Sequence, residues 1–370
     1  MSAEVAPAGL VAPSRSGPVQ STMLEVDALL DATFAELGDA LAVSGVTRGA
    51  ARGPLHVDLV GELATRTRNH GKRLRPVLAH WGWALAGETP GTHDHLARIG
   101  AALELLHLFA LVQDDVMDRS DSRRGQRTLH VVAAERHRSV SGLGDDVLFG
   151  DSVATLVSDL ALSEATLLVA PTRAEVRALW RVMAVELVEG QLLDVTHTAG
   201  RRRNLDTSLQ IARFKSGRYT ITRPLQLGAL VAGAGAALMD RLEAWGDLVG
   251  DAFAVRDDVL GCWGDPQVTG KPAGDDLRSG KPTVLLTWAE DLLPPSARPL
   301  LAACDAGQLD DSQVGQLQQA MIDAGVRDRA ERTISDLVSR AHDVLDGLDV
   351  PADADTALRH LADTIAWRAS

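Results

Sequence analysis

Cysteine is nearly missing from this chain: only Cys262 and Cys304 occur in 370 residues. That excludes a disulfide framework and a cysteine-based zinc site, and it fits a reducing, cytoplasmic compartment. Aromatic residues are scarce, at 4%, so a pocket walled by stacked rings is not expected. Basic residues are in deficit: 37 against 50 acidic ones gives a net charge of −13. That balance argues against a general partner of nucleic acid or of anionic membranes. The longest apolar run, Leu225 to Met239, is rich in Gly and Ala and shorter than the ~20 residues a membrane span requires. Neither a signal peptide nor stable membrane insertion is expected, because no basic start precedes an apolar block. Alternating β-branched runs and solenoid-period repeats are missing too.

What is present is helical grammar. Residues 1–20, rich in Ala, Pro, Ser and Gly without periodicity, are expected to form a disordered tail. From Ser21 onward, Leu24, Val26, Leu29, Leu30, Phe34, Leu37 and Leu41 recur at helical spacing. Similar segments follow at Val77–Ala86, around Leu96 to Ala110, and at Val147–Val169, Arg173–Asp194, Leu205–Thr222, Leu225–Met239, Arg241–Leu260 and Thr283–Leu293. Residues 21–370 are therefore expected to fold as one all-α domain, a large helical bundle with its site in the core.

The apolar helix around Leu96 to Ala110 ends in Asp114, Asp115 and Asp118. At 3.6 residues per turn, Asp114 and Asp118 share a face, and such crowded carboxylates repel unless a cation neutralises them. Oxygen ligands without nitrogen or sulfur suit Mg²⁺, which shares its shell with phosphates. A second pair, Asp257-Asp258, ends another helix, and Asp265, Asp275 and Asp276 follow it. Gly264, Gly270, Lys271, Gly274, Gly280 and Lys281 make the intervening loop a plausible phosphate clamp or an ordinary solvated loop. Basic residues gather at Lys72 and Arg75, at Arg123-Arg124, and at Lys215 and Arg218. Each alone is most often a solvated charge; together with two acidic clusters they suit a metal-bound polyphosphate.

In this order, Gly71-Lys72-Arg73-x-Arg75-Pro76, Asp114-Asp115-x-x-Asp118, Arg123-Arg124-Gly125, Gly150-Asp151, Gly190-Gln191-x-x-Asp194, Lys215-Ser216, Asp257-Asp258 and Gly270-Lys271-Pro272 to Lys281 resemble the trans-isoprenyl diphosphate synthases, or polyprenyl synthetases. The resemblance covers about residues 70 to 285. It implies a homodimeric, Mg²⁺-dependent transferase that joins isopentenyl diphosphate to an allylic diphosphate. By resemblance, Asp114 and Asp118 bind two Mg²⁺ ions with Asp115 supporting, and Asp257 binds a third, backed by Asp258 and Asp276. Arg123, Lys215 and Lys271 then contact the allylic diphosphate, with Ser216, Gln191 and Lys281 also among the substrate-binding candidates. Lys72, Arg75, His107 and Arg124 hold isopentenyl diphosphate. His107 lies two turns before Asp114 on the same face, which permits that role; a buried histidine with a backbone partner is the plainer reading.

Three departures from the family pattern stand out. Gln113 replaces a histidine, Ala254 replaces a glutamine, and Gly261 replaces the last Asp of the second acidic motif. Product length is implied by the residues five and four before Asp114, here Phe109 and Ala110, a pattern resembling bacterial geranylgeranyl (C20) synthases. The alternatives are a farnesyl or longer-chain synthase, a terpene cyclase, and a non-catalytic partner subunit. Against a cyclase stand Lys72, Arg75 and Arg124, which call for a second diphosphate.

Overall fold

The computed structural model describes residues 17–43, 53–68, 72–123, 125–200, 203–265 and 273–368. Its first half contains α1 (Pro18–Val43), α2 (Leu59–Arg68), α3 (Leu74–Leu85), α4 (His93–Met117), a two-residue ribbon β1 (Ser122–Arg123) and β2 (Gln126–Arg127), α5 (Leu129–Ser139), α6 (Asp146–Val169) and α7 (Ala174–Gly200). There follow α8 (Leu205–Ile211), a π-helix (Ala212–Thr222), α9 (Arg223–Ala232), α10 (Ala236–Trp263), α11 (Asp275–Arg278), α12 (Val284–Leu292), a 3₁₀ turn, α13 (Arg298–Asp305), α14 (Asp311–Asp323), α15 (Val326–Leu345) and α16 (Ala352–Ala366). Short polar side chains start several of these helices by accepting orphan backbone N–H groups. Asp145 caps α6 through Leu148 N at 3.0 Å, and Asn204 caps α8 through Thr207 N at 2.9 Å. Asp310 and Gln313 close a reciprocal capping box on α14.

Two apolar cores meet along α3 and α9. One joins α1, α3, α4, α6 and α7 through residues such as Ile99, Leu103, Leu106, Val157 and Met183. The other joins α9, α10, α12, α14, α15 and α16 through Trp245, Val249, Leu286, Ile334 and Leu358. The π-helix packs on both α7 and α10, so it bridges the two halves. Helices α4 and α6 are long and apolar enough to cross a bilayer by length and composition, but α4 is mostly buried within the bundle.

The all-α expectation holds, with local differences. Helix α1 starts at Pro18, inside the expected tail; residues 1–16 lie outside the described ones. The expected Leu225–Met239 helix is broken: α9 stops at Ala232, Gly233 turns with φ 91°, and α10 begins at Ala236. The break falls at Gly233-Ala234-Gly235 within that Gly- and Ala-rich run. The expected Leu205–Thr222 helix changes to π geometry from Ala212 onward. Long π segments are rare and favour functional sites; this one carries Lys215.

Candidate active site

Carboxylates at a helix C-terminus face the negative end of the macrodipole, so their presence there calls for compensating cations. The end of α4 has them. Asp114 accepts from Arg123 Nη2 at 2.9 Å and pairs with Lys215 Nζ at 2.8 Å. Asp115, 6% exposed, accepts from Arg123 Nε at 2.6 Å. Arg123 gets there because the chain folds back directly after α4, with Ser120 N donating to Asp115 O at 3.0 Å, into the β1–β2 ribbon. Lys215 also pairs with the buried Asp194 of α7. Gly190 makes this possible, since a Cβ there would stand 2.5 Å from Lys215 N. Finally, Lys281 Nζ meets Asp118 at 3.0 Å and Asp194 at 3.3 Å. Burial pushes the Asp114 carboxyl up, but Lys215, Lys281 and Arg123 outweigh it and hold the group well below the usual carboxylate range.

The second cluster, near the C-terminal end of α10, is less well met. Asp258 accepts Val284 N at 3.1 Å. Burial, with Asp276 and Asp257 nearby, pushes its carboxyl well above the ordinary value. Asp276 presses against Gly261: a Cβ on that glycine would lie 2.1 Å from Asp276 Oδ2. The missing third acid of the motif has thus left room that another carboxylate occupies. Asp257 pairs with Arg368, which stacks 4.0 Å over the Phe253 ring. Sequence reasoning missed Arg368, which lies 111 positions from Asp257. It also passed over Asp194 as a site residue, although the Gly190-Gln191-x-x-Asp194 match contained it. Neither cysteine is a nucleophile at neutral pH: burial pushes Cys262 well up and Cys304 to about 11.

Around the cleft the remaining candidates divide. Arg75 is buried, donates from Nη2 to Thr220 Oγ1 at 2.7 Å and lies 4.3 Å over the Tyr219 ring. The Tyr219 hydroxyl is 3.1 Å from His107 Nδ1, so His107 has a side-chain partner on the π-helix. Lys72 is exposed, and Ser216 is half-buried beside Lys215. Gln191 donates to Met117 Sδ at 3.4 Å, at the end of α4. Phe109 and Ala110 are half-buried against the N-terminal core. Gln113 donates to Ser158 Oγ on α6 at 2.6 Å, tying the two helices together directly before the carboxylates. Arg218 faces Glu186, Glu243 and Asp247 and takes no part in the cleft. Arg124 and Lys271 lie outside the described residues.

Among the described residues no three carboxylates or imidazoles converge to hold a metal ion by themselves. The available donors are carboxylate oxygens, few on each side, with ammonium and guanidinium groups between them. That donor set fits a hard divalent cation that completes its shell with water and phosphate oxygens.

Residues 58–321 match the polyprenyl synthetase family model. A geranylfarnesyl diphosphate synthase of Aeropyrum pernix is 30% identical over 311 residues, 80% of this chain and 90% of that one. A farnesyl diphosphate synthase of Mycobacterium bovis is 36% identical over 225 residues, 60% of this chain and 57% of that one. The crystal structure of a geranylgeranyl pyrophosphate synthase from Corynebacterium glutamicum, complexed with isoprenyl diphosphate and magnesium, has a TM-score of 0.84 and 33% identity. It covers 93% of this chain and 99% of that one.

Proposed function

Because the chain belongs to the polyprenyl synthetase family, we propose that its cleft condenses isopentenyl diphosphate head-to-tail with an allylic diphosphate, making it a Mg²⁺-dependent prenyltransferase. One observation carries this reading: Lys281, just past the second acidic cluster, reaches Asp118 of the first. This contact supports reading the two acidic clusters and the cations between them as one diphosphate site.

The roles follow from chemistry. Asp114 and Asp118 would hold two metal ions and Asp257 a third, with Asp115, Asp258 and Asp276 in support. When bound, Mg²⁺ neutralises the charge that builds on the departing diphosphate. Lys215, Arg123 and Lys281, joined by Gln191 and Ser216, then exchange their carboxylate partners for diphosphate oxygens, and Lys271 joins them in stabilising the same charge. Lys72, Arg75, His107 and Arg124 grip isopentenyl diphosphate; Arg75 is suited to this because no carboxylate among the described residues pairs with it. The allylic C–O bond breaks with its electron pair leaving on diphosphate. The isopentenyl double bond forms the new C–C bond, and the departing diphosphate takes the proton whose loss restores an alkene. The apolar residues around α4 shelter the cation from water.

The product is geranylgeranyl diphosphate, with Phe109 and Ala110 limiting the chain. Relatives that make farnesyl and geranylfarnesyl products keep other lengths as the alternative. Exposed Leu148, Leu156 and Leu167 on α6, with Val185, Val188 and Leu192 on α7, support a homodimer interface. Two free, buried cysteines support a cytoplasmic location.

Incubation with Mg²⁺, isopentenyl diphosphate and allylic primers of increasing length, followed by product sizing, tests all of this. A C20 diphosphate is expected. No condensation with any primer overturns the assignment, and a hydrocarbon from one primer alone favours a cyclase. Phe109→Ala should lengthen the product; an unchanged mass spectrum removes Phe109 from the ruler.

A further inference from the structure

Four non-glycine residues among the described ones have positive φ: Arg73, Glu88, Arg119 and Ser141. The last three are exposed, whereas Arg73 is drawn inward. Its backbone, at φ 50° and ψ 34°, occupies the N-cap position of α3. A left-handed conformation costs an L-residue about 1–2 kcal/mol, so something must hold it. Two carboxylates do. Arg73 Nη2 donates to Asp27 Oδ1 of α1 at 2.6 Å, and Nη1 lies 3.2 Å from Glu104 Oε2 of α4.

Glu104 explains why the charge is placed there. Its side chain is 8% exposed, among Leu103, Leu105 and Leu106, all at most 1% exposed. A carboxylate in that setting is costly unless paired. The reaction described above uses neither Glu104 nor Arg73, although Arg73 stands between Lys72 and Arg75.

We infer that Arg73 is a positioning residue for isopentenyl diphosphate: its pairing with Glu104 and Asp27 locks the turn from which Lys72 and Arg75 project. The inference rests on the prenyl-transfer reading and deepens it. Three cations within four positions thus divide their work. Arg73 is neutralised from inside and holds the turn, while Lys72 and Arg75 serve the ligand. Because a diphosphate grip depends on placement to within about an ångström, loosening the turn weakens that grip.

The test compares Arg73→Gln, Glu104→Gln and the double variant in steady-state kinetics, with each substrate varied in turn. Each single change should raise the KM for isopentenyl diphosphate about tenfold, with the KM for the allylic diphosphate within about twofold of wild type. The double variant should be no worse than either single one, because both remove the same contact. Arg73→Gly, which accepts the left-handed turn without strain, should keep the fold but show the same raised KM. Asp27→Asn, at the half-exposed partner, provides a milder variant should the others fold poorly, and its KM should move in the same direction. Unchanged KM values, or a parallel rise for both substrates, overturn the inference. A wild-type chain that condenses nothing overturns the inference together with the functional reading beneath it.

Discussion

The two acidic clusters are built from the same parts and balanced in opposite ways. Each sits near the C-terminal end of a long helix, where the dipole disfavours negative charge. At α4, Arg123, Lys215 and Lys281 converge, and Asp114 stays ionised far into acid. At α10, Asp258 has a backbone N–H as its hydrogen-bond donor and two further carboxylates nearby, and its carboxyl is pushed up. The first half of the site is therefore charged and organised before any ligand arrives. The second is completed by what binds, which makes it the more sensitive to metal and to pH.

The largest expected effect tests that asymmetry directly. Asp114→Asn removes a carboxylate that organises two cations and, in the proposed function, a metal; it should lower kcat/KM about 10³-fold, the scale of several kcal/mol of charge stabilisation. Asp257→Asn, at a carboxylate held by one arginine, should cost clearly less at saturating Mg²⁺. Equal losses in steady-state assays break the comparison, and the two halves are then equivalent.

Asp258 gives the next effect, and it runs in two directions. With the folded carboxyl raised above its unfolded value, the folded state binds more protons than the unfolded one in that window. Stability is then present at low pH and lost as pH rises through the folded value. Asp258→Asn removes the buried like-charge repulsion and keeps an oxygen to accept Val284 N. The melting temperature near neutrality should rise, by ~2 °C if about 1 kcal/mol is recovered, while activity falls. The Mg²⁺ concentration for half-maximal rate should increase on acidification in the wild type, since metal must displace a proton, and be flatter in the variant. A variant that melts lower, with unchanged pH dependence, contradicts this account of the second cluster.

How much of this could be read from the chain follows from sequence distance. Asp114, Asp115 and Asp118 lie within five positions at the end of one apolar helix, so periodicity alone faces two of them the same way. Arg123 follows close enough for a short ribbon to return it. Lys215 was placed on a helix, but its π geometry has no composition signature; it depends on the approach that Gly190 allows between distant elements. The stop at Gly233 was masked by apolar continuity, because a hydrophobic run does not report whether one helix or two bury it. Asp276 filling the space left by Gly261 required two carboxylates to meet across a loop. Arg368 was beyond reach, since no local pattern links the C-terminal region to Asp257.

Arg368 also supplies the smallest effect and the finest test of the comparison. Its guanidinium lies over Phe253, and it donates to the Phe253 carbonyl and to Asp257. Arg256, one residue before Asp257, donates to the carbonyl of Ala366. The end of α16 and the end of α10 are thus bound to each other from both sides. Asp257 is about half exposed in its side chain, so solvent screens the pair and its worth is limited to about 1 kcal/mol. A metal that takes Asp257 must compete with this arginine, whereas at α4 the competing cations remain in the cleft to meet the diphosphate. Arg368→Ala should therefore lower the Mg²⁺ concentration for half-maximal rate about two- to fivefold, with kcat little changed. Arg368→Lys, which keeps the charge without the planar stack, should fall between. If the alanine variant instead raises the Mg²⁺ requirement, Arg368 holds Asp257 in position for the metal, and the second cluster is organised in advance after all.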